Sequence, residues 1–199
     1  MDEEKARRAD YPVDPIFLAR WSPRAFTGEP VPESDLRSMF EAARWAPSSS
    51  NLQPWRFLYA RAGTPHFERF LHLLHEGNQV WAKNAGALVF VLSKTLQVSS
   101  RDSKLVPSYT HSFDTGTAWG FLALQALQLG WATHGMAGFD KERAITELKV
   151  PSGYRPEAAI AIGRRGDKSL LSENHRERET PNGRNPQREF VFEGDFPEN

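Results

Sequence analysis

Residues 85–93 read AGALVFVLS, nine positions without a charge. A strand with one wet face alternates apolar and polar residues, whereas a run that is apolar throughout has to be dry on both faces. The stretch therefore predicts a central strand with cover above and below. In a chain of 199 residues that cover has to come from helices packed on one sheet. The length fits a single domain, and 39% apolar residues, with 13 Phe and 6 Trp, supply its core.

The flanking patterns provide those helices. Residues 14–21 predict a short helix with Asp14 as N-cap and Pro15 in its first turn. Over 33–45, Leu36, Met39, Phe40 and Ala43 fall at i, i+3, i+4 and i+7, the stripe of a packed helix that Pro47 ends. After a strand over 55–60, Thr64-Pro65 opens a helix with Phe67, Phe70, Leu71 and Leu74 on one face, closed by Gly77. Residues 113–129 are apolar around most of the helical circumference, which predicts burial on several sides and an interface with a second copy; Gly130 stops them. Residues 131–137 read as a strand, 140–149 as a helix capped by Asp140, and 157–163 as a strand. Helices alternating with single strands point to an α/β or α+β sandwich around one sheet.

Two regions lack periodicity. Residues 94–112 hold five serines and read as a long functional loop. The tail from Arg164 is polar and arginine-rich until EFVFEGDF, an apolar run that has to dock on its own domain or on a partner.

Composition excludes several functions. The 25 basic and 25 acidic residues leave no net field to gather nucleic acid or an anionic membrane. No window reaches the roughly 18 apolar residues of a membrane span, and the charged start MDEEKARRAD is unlike a signal peptide. Without cysteine there is no disulfide, thiolate nucleophile or iron–sulfur cluster. A cytoplasmic protein that binds neither nucleic acid nor membrane is the expectation. His72 and His75, one turn apart beside Glu76, lack a third metal ligand. His111, His134 and His175 fit no nucleophilic triad order and read as structural or solvent-facing. GRRGDKS at 163–169 lacks the spacing of a phosphate-binding loop.

The chemistry-bearing residues fall in two motifs. RWSPRAF places Arg20, Ser22 and Arg24 at alternate positions where a helix gives way to loop, and two guanidiniums with a hydroxyl can converge on one anion. APSSSNLQPWRF, residues 46–57, crowds short polar side chains between a helix and a strand. Together the two closely resemble the nitroreductase family of FMN-dependent oxidoreductases, whose pattern is Arg-x-Ser-x-Arg-x-Phe, an amphipathic helix, then Ala-Pro-Ser-Ser-x-Asn-x-Gln-Pro-Trp. Ala46, Pro47, Ser48, Ser49, Asn51, Gln53, Pro54 and Trp55 match every fixed position of the second motif. The likeness extends through QLGWATHGMAGFD and the IAIG strand, and fails in 94–112 and parts of the tail.

The resemblance implies an α+β fold: an α/β/α sandwich with a central mixed, mainly antiparallel sheet flanked by helices, in an intertwined homodimer. One domain would span residues 1–199, with 94–112 as a variable active-site loop and 164–199 as an extended C-terminal arm. It implies FMN bound at the subunit interface, NADPH or NADH as donor, and hydride passed from flavin N5 to an electron-poor small-molecule acceptor. Arg20, Ser22 and Arg24, with the backbone of Trp21, would hold the phosphate and ribityl chain, and Arg184 would be the late arginine on the phosphate. Trp21 stands where a basic or small residue is commoner. Pro47, Ser48, Ser49 and Asn51, with Gln53 nearby, would line the ring from the facing subunit. Short side chains there let amides approach the ring edge, where donors stabilise the charge of a reduced flavin. Met136, Ala137 and Gly138 would run beside N5, with Ala137 where family members often carry Glu, and Asn78 close by. Other flavin chemistry on the same scaffold, or FMN binding without turnover, are the alternative readings.

Overall fold

The predicted dry strand is the spine of the sheet. The computed structural model describes residues 7–197, so Met1–Ala6 of the charged N-terminal stretch lie outside the described residues. Strand β1 spans Trp55–Arg61, β2 Ala87–Lys94, β5 Ala132–Met136 and β6 Tyr154–Gly163. They form one sheet in the order β1-β2-β6-β5, and every pairing is antiparallel. In β2 only Lys94 escapes full burial, as an unbroken apolar run requires.

Alternate residues of β2 feed two cores. Leu88 and Phe90 pack with Phe67, Phe70, Leu71, Trp81 and Phe139. Ala87, Val89 and Val91 pack on the opposite side with Leu36, Met39, Ala43, Ala118, Leu122 and Ala126. The first group draws on α3 (Phe67–His72), α4 (Glu76–Ala82) and α6 (Lys141–Glu147); the second on α2 (Glu33–Arg44) and α5 (His111–Gln128). The result is the three-layer α+β sandwich.

Local signals account for most boundaries. Asp14 accepts from the Ile16 amide at the start of α1 (Pro15–Ala19), and Asp140 accepts from Arg143 at the start of α6. Helix α5 ends before Gly130, whose φ of 78° suits a residue without Cβ.

Two expectations need correction. Gly77 closes no helix: α3 stops at His72, and Gly77 lies inside α4 after a turn in which Leu74 bridges to Phe139. Residues 94–112 are not structureless, because β3 (Leu96–Val98) and β4 (Leu105–Pro107) pair as a hairpin before α5 begins at His111. Helix α5 buries Ala118, Leu122 and Ala126 but leaves Phe113 79% and Phe121 39% exposed, so one chain covers only part of its apolar surface. The tail carries the short helix α7 (Glu173–Arg176), and its aromatic run is uncovered as well: Phe192 and Phe196 meet edge to face, and Phe196 is 80% exposed. Among the described residues no helix is long and apolar enough to cross a membrane.

Candidate functional site

Helix α1 ends in an extended residue, Arg20, and the chain then runs through Trp21-Ser22-Pro23-Arg24 along the edge of β5. This loop lines a cavity of about 220 Å³ with Arg20, Trp21, Ser22 and Arg24, and Arg184 reaches the same cavity from the tail. Arg7 joins from the N-terminal segment, and His134, Thr180 and Asn182 complete the wall. Four arginines thus line one small space, and among the described residues no carboxylate lines it. Burial, and then the charges of Arg7 and Arg184, pull the Arg20 guanidinium below its ordinary pKa. Arg7 is lowered in the same way, by burial and by Arg184. Like charges gathered around one space favour an anion in it.

The loop is fixed from behind. Glu179 is 7% exposed, and its Oε1 accepts from the backbone amides of Arg24 and Ala25 at 2.8 Å each, while Oε2 is buried without a partner among the described residues. Arg20 donates to Ser22 Oγ at 3.3 Å, which sets those two side chains together. His134 Nδ1 lies 3.0 Å from the Pro23 carbonyl and must therefore be the protonated nitrogen. Burial, chiefly, holds this imidazole below its ordinary value of 6.5, the Arg24 charge adds to the effect, and the Pro23 carbonyl and Glu179 oppose it. His134 is thus neutral at pH 7, a structural histidine that also forms part of the cavity wall.

The tail arginines separate cleanly. Arg164 donates to the Leu129 carbonyl and lies 4.0 Å over the Trp131 ring. Arg165 covers Trp21 at 5.1 Å, and Arg176 donates to the Leu171 carbonyl. Arg184 lines the anion cavity.

At the far end of β5, Met136 is buried, whereas Ala137 is exposed. The Gly138 carbonyl accepts from the His75 amide at 3.0 Å and from Asn78 Nδ2 at 2.9 Å. A Cβ on Gly138 would come within 2.7 Å of that Asn78 nitrogen, so only glycine lets Asn78 clamp the segment. Asn78 is thereby tied to the 136–138 segment by a hydrogen bond.

The 47–53 turn lies elsewhere. Pro47, Ser49, Asn51 and Gln53 are exposed, and none of the turn lines the arginine cavity of its own chain. It is not relaxed: Ser50, Asn51 and Gln53 have φ of 48°, 55° and 48°, left-handed positions that cost non-glycine residues on the order of 1 kcal/mol each. Polar contacts hold it there. Ser48 Oγ accepts from the Gln53 amide at 3.0 Å, and Gln53 Nε2 donates to Asn51 Oδ1 at 3.1 Å. The Ser49 amide donates to Asp114 Oδ2 at 3.2 Å, and Asp114 is 4% exposed in the first turn of α5.

Beside the arginine loop, Phe17, Trp119, Phe121 and Gly135 border an apolar hollow of about 580 Å³ that shares Arg20 and Ser22 with the anion cavity. Ser93, His111 and Glu157 also meet, but the serine and the carboxylate approach the same imidazole nitrogen and Ser93 is fully buried. That arrangement is a structural network and not a nucleophilic triad.

Arg7, His134, Glu179 and Asp114 were not singled out as site residues from sequence. Arg7 precedes the motif, and the other three gain their roles from long-range packing. Asp114 alone left a trace, as an acid at the head of an otherwise apolar helix.

A family model described as the nitroreductase family matches residues 18–80. A Streptomyces coelicolor protein provisionally named an NADH dehydrogenase/NAD(P)H nitroreductase is 30% identical over 165 residues, covering 74% of this chain and 80% of that protein. A solved structure described as an oxidoreductase containing FMN superposes with a TM-score of 0.94 at 49% identity over 99% of both chains. A protein from Desulfovibrio desulfuricans, provisionally named a nitroreductase and crystallised with FMN, has a TM-score of 0.68 at 26% identity, covering 94% of this chain and 100% of that one.

Proposed function

The chain belongs to the nitroreductase family, and we propose that it is an FMN-dependent oxidoreductase that uses NAD(P)H to reduce an electron-poor small molecule such as a nitroaromatic or a quinone. The observation that carries the reading is the cavity of four arginines, with no lining carboxylate among the described residues, which fits the cofactor's phosphate monoester. FMN, when bound, supplies the ability to take hydride from the nicotinamide and pass it to the acceptor in a ping-pong cycle.

The protein's own share is binding, orientation and exclusion of water. Arg20, Ser22, Arg24 and Arg184, with the Trp21 backbone, hold the anionic end. The strained 47–53 turn, fixed by Asp114, presents amides and short polar groups to the ring edge of the neighbouring subunit's cofactor. The exposure of that turn and its absence from the anion cavity of its own chain support this division between subunits. Met136, Ala137 and Gly138, clamped by Asn78, flank the reactive side. Ala137 places no carboxylate there, so protons come from water or from the cofactor's own hydroxyls. The exposed apolar residues of α5 and of the tail pack against a second copy. The protein works as a single domain with a C-terminal arm, in the cytoplasm.

The test is an absorbance spectrum of purified protein before and after NADH or NADPH under anaerobic conditions, followed by a nitroaromatic. A yellow protein that bleaches with donor and recovers with acceptor is expected. Colourless protein that takes up no FMN would overturn the reading.

A further inference from the structure

Arg7 lies outside the motif that defines the anion site, yet its guanidinium lines the same cavity as Arg20, Arg24 and Arg184. One terminal nitrogen, Nη1, donates to the Leu18 and Arg20 carbonyls at 2.7 Å each. Those bonds use the two N–H groups of Nη1 and anchor the side chain against the open end of α1. Three of the five guanidinium donors remain, and among the described residues Arg7 has no carboxylate partner. A residue needed only to cap a helix end would not have to keep its remaining donors beside three other arginines.

We propose that Arg7 is a further phosphate-binding residue, closing the anion site from the N-terminal segment and recognising a terminal phosphate monoester. This rests on the FMN reading above. A monoester near neutral pH carries close to two negative charges, and anchored planar guanidiniums match its oxygens at little entropic cost. Arg7 and Arg184 bring the two ends of the chain to one ligand, and occupancy relieves the repulsion between them.

The test compares FMN with riboflavin, which has the same ring and ribityl chain but no phosphate. Flavin fluorescence titrations on wild type, Arg7→Ala and Arg7→Gln give both affinities; glutamine keeps an amide able to reach the α1 carbonyls while losing the charge. Both variants are expected to bind FMN about ten- to thirtyfold more weakly and riboflavin within about twofold of wild type. Both should also lose most of the thermal stabilisation that inorganic phosphate gives wild type. Unchanged FMN affinity overturns the proposal, and so does an equal loss for both flavins, which would make Arg7 a structural clip. Wild type that binds FMN while the variants match it removes this inference alone; wild type that binds neither flavin removes the functional reading with it.

Discussion

Replacing Arg20 by alanine takes away a charge-assisted donor and one of four crowded like charges together. FMN affinity should fall about ten- to a hundredfold, or about 1.5–3 kcal/mol, while the melting temperature of the cofactor-free protein should not fall, because repulsion from Arg7 and Arg184 is relieved. Equilibrium dialysis and calorimetry check the two halves. His134 gives a pH dependence of definite sign. Its folded-state pKa lies below the ordinary 6.5, so as pH falls below that value the unfolded chain takes up a proton that the folded chain resists. The stability it contributes is full above 6.5 and is lost as pH falls toward the folded value. The denaturant midpoint of wild type should decline between pH 7 and 5.5, and that of His134→Gln should be flatter across the same interval. Arg20, Ser22, Arg24 and the 47–53 turn were legible because their residue types sit at fixed offsets in one stretch of chain. Glu179 was not: its partners are the amides of Arg24 and Ala25, and no local spacing records a contact 155 residues away.

Elements were readable where one physical demand dominated. An unbroken apolar run could only be a doubly covered strand, and Asp14 and Asp140 marked helix starts that their side chains do cap. The hairpin of β3 and β4 is not legible in the sequence because Leu96–Val98 and Leu105–Pro107 are only three residues each, too short for a period to stand out. Its identity changes what the segment can do. A paired ribbon holds Tyr109, 98% exposed just beyond β4, in a fixed place, where a loose loop would let it wander. Tyr109→Ala is expected to shift the KM for the acceptor several-fold and leave FMN affinity unchanged. Steady-state kinetics on a panel of nitro compounds and quinones, with a parallel FMN titration, separates the two effects.

The whole molecule presents apolar surface that one chain does not cover. Phe113 and Phe121 on α5, and Phe190, Phe192 and Phe196 in the tail, are each exposed, and a dimer is expected to cover them. Phe113→Glu tests this with little harm to the helix, since an acid in a first turn is favoured by the helix dipole. Light scattering should give twice the 22.5 kDa chain mass for wild type and close to that single mass for the variant, with loss of bound FMN. The geometry of the anion cavity also has a consequence in time. Its first arginines are translated near the start of the chain, whereas Glu179 and Arg184 emerge among the last residues. At about 5–20 residues per second, the early loop waits on the order of ten seconds for its backing and its final ligand. Until that late segment emerges, a nascent chain has no complete pocket to offer, so the vitamin-derived prosthetic group is not held by the early loop alone.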